Sequence, residues 1–242
     1  MSDDVDRDSN IDDFYQESQH ELHYLKHLGS YFASIRNVAV DPNEGLLEIF
    51  KLNADKWSSE NKARCESNWW VGQLSEFFDE SPLAKCKYNM ISAVHSMYHT
   101  GDLEKTFIRL MSMLKENGIL LIVLSGKNMI HQTHRQKQRL PASYRYSDKP
   151  KSLQISELAK KNGFAITSVE LDIKWDVTDL FDEKSELGDK LSDFLTMVAY
   201  FRKTAPPEMK EDLLSFWRSL CSEGEDGRMR TQAGEKIFIF TK

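Results

Sequence analysis

The side chains with the most chemical capacity stand where apolar runs stop. Asp41 closes the run Ile35–Val40, just before Pro42 and a helix-forming stretch that begins near Glu44. In a nucleotide-binding α/β domain, a carboxylate at such a strand end accepts both ribose hydroxyls of a cofactor. The same side chain could instead cap the helix that follows. A second run, Tyr88–His95, leads into a polar-aromatic turn containing His95, Met97, Tyr98 and His99. His20, His23 and His27 recur at i, i+3 and i+7, a spacing that gathers them on one helix face as metal ligands or simply exposes them. No acidic or cysteine partner is arranged with them, and His131-x-x-His134 is weaker, so no metal site is expected. Trp175 and Phe181 read either as walls of an aromatic pocket or as core. Cys65, Cys86 and Cys221 are far apart, odd in number and without an activating motif, which makes them structural thiols.

These residues must be positioned by an alternation of helices and strands. Residues 1–10 read as a flexible acidic tail. Ile11–Leu28 repeats its apolar positions at helical spacing and ends at Gly29. Ile35–Asp41 reads as a strand and Glu44–Lys56 as a helix, while 57–86 contains three tryptophans and no clear period. Tyr88–His95 is a buried strand and Asp102–Leu114 an amphipathic helix with Asp102 at its start. Ile119–Leu124 is a continuous apolar run of the kind a sheet buries on both faces. Residues 127–139 form a polar helix or loop, followed by a helix over Leu153–Lys161 and a strand over Ala165–Ile173. Helices over Leu187–Phe201 and Met209–Leu220, and a strand over Lys236–Thr241, complete the chain. Strands separated by helices predict a largely parallel sheet, with ligands beyond the strands' carboxyl ends.

Composition narrows the class. With 40% hydrophobic and 29% charged residues, 242 residues suffice for one soluble α/β domain, expected over 11–242. No apolar run is long enough to span a bilayer, and the acidic N-terminus lacks the pattern of a secretory signal. A net charge of −6 argues against nucleic acid. The expected location is cytoplasmic, with no membrane partner.

Tyr88–Gly126 as a block (buried strand, polar-aromatic turn, amphipathic helix, Asn-Gly, apolar strand) resembles the fourth strand, helix and fifth strand of class I methyltransferases. The segments NVAVDPNEGLLEIFKLNADKW, YHTGDLEKTFIRLMSMLKENGILLIVLSG, DVTDLFDEKSELGDKLSDFLT and TAPPEMKEDL together resemble the histamine N-methyltransferase family, in order along nearly the whole chain. The resemblance implies a Rossmann-like, mostly parallel sheet with helices on both faces and one antiparallel edge hairpin. It implies S-adenosylmethionine as cofactor and a small amine as substrate. It places Asp41 and Ala93 at the cofactor, Tyr98 and His95 as the catalytic pair, and His20, Glu21, Val94, Tyr98, Trp175 and Phe181 around the substrate.

Two departures qualify that expectation. Family members carry a first central strand and a glycine-rich turn upstream of the acidic-Pro strand. Here no two of the eleven glycines are two residues apart, so G-x-G does not occur. The space before Ile35 is too short for a further strand and helix, so the first central strand is expected to be missing. The gap can be closed by setting Ile35–Asp41 beside Tyr88–His95, giving a monomer, or by a homodimer pairing at an open sheet edge. The family's amine anchors fall on His20, Val94 and Ala233, of which none can act as the family's acidic and amide groups do, although Glu21 could replace the first. The alternative to an active enzyme is therefore a catalytically inactive pseudo-methyltransferase that acts as a binding protein.

Overall fold

The computed structural model describes residues 32, 34–61, 64–135 and 151–242. They belong to two compact units, Met1–Tyr88 and Asn89–Lys242. The acidic tail and the helix expected over Ile11–Leu28, with His20 and Glu21, lie outside the described residues.

The first unit is a strand-helix-strand motif. β1 (Ser34–Asp41) and β2 (Arg64–Val71) run parallel, Ser34 opposite Arg64 and Asp41 opposite Val71, with α1 (Glu44–Asn61) between them in the chain. Leu47, Phe50, Ala54 and Trp57 recur at helical spacing and form one buried stripe of α1. Strand pleating sends Ile35, Ala39, Cys65 and Trp69 to meet it, with the Trp69 ring edge-on to Phe50 at 5.3 Å. On the other face Arg36 pairs with the directly opposite Glu66 at 3.3 Å, too exposed to contribute more than about 1 kcal/mol. After Gly72, α2 (Leu74–Glu80) starts with a reciprocal capping box between Gln73 and Glu76. Sequence reasoning left β2 unplaced because Glu66, Ser67 and Asn68 blur the alternation that marks a half-buried strand.

The second unit is built on a mixed sheet ordered β3-β4-β8-β5, with β6 and β7 also paired to β8. Its strands are β3 (Tyr88–Val94), β4 (Leu114–Asn128), β5 (Ala165–Leu171), β6 (Lys174–Asp176), β7 (Cys221–Glu223) and β8 (Met229–Thr241). Its helices are α3 (Leu103–Ser112), α4 (Met129–Arg135), α5 (Lys151–Lys161), α6 (Glu186–Thr196), α7 (Phe201–Thr204) and α8 (Pro207–Ser219). β4 is buried on both faces, Leu120, Ile122 and Leu124 on one and Leu121 and Val123 on the other. Opposite Leu120 and Ile122 stand Phe240 and Phe238, fully buried, and Phe107 of α3 meets Phe240 edge-on at 5.0 Å. Asp102 accepts the Lys105 amide at 3.0 Å and caps α3, as its position predicts. A second cluster gathers Met129, Leu180, Leu195, Phe201, Leu213 and Trp217. There the Trp217 indole donates to Thr133 Oγ1 at 2.8 Å, so its one polar atom is satisfied.

Two expectations are corrected. The antiparallel element is not an edge hairpin: β8 lies between β4 and β5 and runs antiparallel to both. The helix expected over Leu187–Phe201 ends at Thr196. Met197 and Tyr200 take left-handed backbone angles, and the Asp193 carboxylate accepts the amides of Tyr200 and Phe201, each at 2.7 Å. A side chain that offers the backbone two hydrogen bonds outcompetes continuation of the helix.

Candidate functional site

Asp41, at the end of β1, is half-buried. Its Oδ1 accepts the Asn43 amide at 2.7 Å, and its carbonyl accepts the Gly72 amide at 3.1 Å. The helix cap is Asn43, whose Oδ1 accepts from Leu46 at 3.2 Å. Asp41 therefore holds the turn before the helix and not the helix itself, and its Oδ2 has no hydrogen-bond partner among the described residues. In the same unit the Nδ2 of Asn37 is buried with no partner among the described residues.

The second unit gathers a polar cluster where β3 ends. Ala93 is buried and Val94 half-buried. His95 has φ +48°, a left-handed angle that costs a non-glycine residue energy and persists where neighbours enforce it. Its amide donates to Val123 of β4 at 3.0 Å, and its Nε2 lies 3.2 Å from Glu235 Oε1 of β8. The Tyr98 ring stacks on that of His95 at 6.3 Å and 14°. Tyr98 Oη accepts the Ser125 amide of β4. Ser125 stands directly opposite Glu235 in the β4–β8 ladder, just before its register shifts. Burial raises the Tyr98 pKa above its ordinary value, Glu235 adds to this, and the Ser125 hydrogen bonds work against it. The phenol is thus neutral near pH 7 and fixed in orientation.

Beyond the register shift, two glycines let β4 and β8 approach: a Cβ on Gly126 would lie 2.8 Å from the Gly234 carbonyl. The Gly126 carbonyl meets His131 Nδ1 at 3.0 Å, and buried Asn128 accepts the His131 amide at 2.9 Å, starting α4. Ala233 is buried and donates its amide to Ile173 at 2.7 Å. A recess of about 230 Å³ is lined by Glu170, Leu171, Asp172, Gln232 and Gly234.

The structure thus brings together His95 and Tyr98, with Val94 adjoining. Trp175 and Phe181 are half-buried against the Leu213–Trp217 cluster; Trp175 tilts onto Phe194 at 6.3 Å, and Arg218 covers the Phe181 ring at 4.7 Å. His20 and Glu21 lie outside the described residues. Sequence reasoning missed Ser125 and Glu235. The signal available was a lone carboxylate just before the continuous apolar run 237–240. No group of three His, Cys, Asp or Glu that could hold a metal occurs among the described residues, and no described helix is long and apolar enough to cross a membrane.

A parallel β-α-β motif whose first strand ends in Asp41, and a mixed, helix-flanked sheet with polar groups beyond β3 and β4, are features of a class I methyltransferase fold. The solved structure of the YcgJ protein from Bacillus subtilis superposes with a TM-score of 0.51 at 12% identity, over 93% of this chain and 99% of that one. A family profile described as "Methyltransferase domain" matches residues 20–169. Histamine N-methyltransferase B of Xenopus laevis is 30% identical over 205 residues, 81% of this chain and 68% of the relative. Histamine N-methyltransferase of Danio rerio is 28% identical over 84% of this chain and 70% of its own length. The chain belongs to the histamine N-methyltransferase family of methyltransferase-domain proteins.

The cofactor of that family is S-adenosylmethionine. Among the described residues, Asp41 Oδ2 could take one ribose hydroxyl. Gly72, Gly126, Gly188 and Gly224 are crowded by the protein's own atoms, while Gly101, Gly163 and Gly227 turn in open space. No backbone turn among the described residues has the G-x-G spacing that lets amides approach a cofactor.

Proposed function

We propose that this chain is a histamine N-methyltransferase-like member of the S-adenosylmethionine-dependent small-molecule methyltransferases whose cofactor site is impaired. In this reading residues 11–242 work as one methyltransferase-like domain in the cytoplasm, as a pseudo-methyltransferase that binds a small amine without methylating it efficiently. It has no nucleic-acid or membrane partner, and is a monomer or a homodimer paired at an open sheet edge. The observation that carries the reading is the absence of any G-x-G pair from a chain that otherwise keeps the family's order of segments. Val94 and Ala233 support it, since neither has a polar side chain where the family places an amide.

The magnitude follows from the backbone bonds. Losing three or four amide contacts, each worth about 1 kcal/mol net, weakens binding by a factor of hundreds. Calorimetric titration with S-adenosylmethionine is expected to give no isotherm tighter than roughly millimolar. Incubation with histamine and donor is expected to give no methylhistamine above a control without protein. A micromolar isotherm, or product that disappears in Asp41→Ala, would establish a working methyltransferase.

A further inference from the structure

We infer that Ser222 is a phosphorylation site for a serine kinase with a basic peptide groove, and that Arg230, directly opposite on β8, receives the phosphate. The inference goes beyond the function proposed above and does not depend on it.

β6, β8 and β7 form a small antiparallel ribbon in which Asp176 stands opposite Arg230, and Arg230 opposite Ser222. Cys221 and Met229 pack on the Leu213–Trp217 cluster, so strand pleating turns Ser222 and Arg230 to the other face. Ser222 is exposed, and among the described strands β7 pairs with β8 alone. Glu223, Glu225 and Asp226 follow it at +1, +3 and +4. Among the described serines, only Ser222 has a carboxylate at both +1 and +3. Such a run gives a basic groove complementary charge, which selects between partners. The receiving end is built as well. Arg230 Nη1 and Nη2 hold the Asp226 carboxylate at 2.8 and 2.5 Å, and the guanidinium lies over Gly224, where a Cβ would collide with it. Gly224 extends the ladder past Ser222, its amide donating to the Arg228 carbonyl at 2.9 Å. Opposed residues have Cβ atoms about 5 Å apart, so a phosphate on Ser222 lies within reach of the Arg230 fork. Arg228, tied to Asp176 at 2.7 Å, is a second cation nearby. A phosphate brings nearly two negative charges and three acceptor oxygens, and outcompetes the Asp226 carboxylate for Arg230. In the transfer itself Ser222 Oγ attacks the γ-phosphorus of ATP, the bond to ADP breaks, and the hydroxyl proton passes to the kinase's base.

The test incubates the full chain with ATP and a purified acidophilic serine kinase of the casein-kinase type, and locates phosphate by peptide mass. Ser222 is expected to be modified, at least about tenfold more slowly in the double variant Glu223→Gln, Glu225→Gln, as loss of charge-assisted contacts predicts. Phosphorus NMR then titrates the phosphate on the modified chain. Arg230 favours the dianion, so its second pKa is expected below the ordinary value of about 6 and returns towards it in Arg230→Gln. The neighbouring carboxylates of Asp176, Glu223, Glu225 and Asp226 push that pKa the other way, so only a guanidinium held on the phosphate lowers it. Each variant's unfolding midpoint is measured, so that folded proteins are compared. Absence of phosphate at Ser222, or a rate indifferent to both glutamates, overturns the site. The same phosphate pKa in the native and Arg230→Gln chains overturns the role of Arg230.

Discussion

Replacing Tyr98 by Phe removes one oxygen and tests how the site is held. The Ser125 amide donates to Tyr98 Oη where the β4–β8 ladder is about to shift register. Without the oxygen, a half-buried N–H loses its acceptor, which costs about 1–3 kcal/mol. The rings of His95 and Tyr98 stay stacked and the apolar contacts remain, so the loss is confined to this bond. There is a second signature at high pH. Burial raises the Tyr98 pKa, so the folded protein keeps its proton at pH values where the unfolded chain, near 10, has lost it. The stabilisation is fully present below about pH 10 and is lost as pH rises through the folded pKa. Tyr88, also raised by burial, contributes in the same direction and persists in the variant. Urea unfolding at pH 7.5 and pH 10.5, with hydrogen exchange at Ser125, measures both effects. A Tyr98→Phe chain that loses under about 0.5 kcal/mol, with Ser125 equally protected and the same alkaline slope, would refute the reasoning.

Arg202 carries a second prediction. Its guanidinium, 15% exposed, donates to the carbonyls of Leu180 at 2.7 Å and Asp182 at 2.9 Å, to Asp189 at 3.2 Å and, through Nε, to Ser192 at 3.1 Å. Arg202→Met leaves those acceptors unmatched and is expected to cost about 3–5 kcal/mol in urea unfolding, with Arg202→Lys recovering only part. At acid pH, Asp176 is held down to about 2 by hydrogen bonds from Thr178 and then by Arg228. Its contribution is present above the ordinary carboxylate range and is lost as pH falls through about 2; it should vanish in Asp176→Asn, as read from the acid limb of a thermal-unfolding series.

Local patterning determined much of this protein. The unbroken apolar run from Ile119 declares a strand covered on both faces, because only a sheet interior removes water from successive residues in opposite directions. Asp102 announces its helix through a bond spanning three residues, and the absence of G-x-G is readable without any structure. What periodicity reports is burial; it does not name the partner that buries. The insertion of β8 between β4 and β5 therefore appeared only in the fold, as did β2, whose polar positions blur its period. The break after Thr196 depends on Asp193 reaching backbone amides seven and eight residues ahead. The candidate site depends on tertiary structure most of all. His95 and Glu235 are separated by 140 residues and Tyr98 and Ser125 by 27, and only the packing of β3, β4 and β8 in one sheet makes them neighbours.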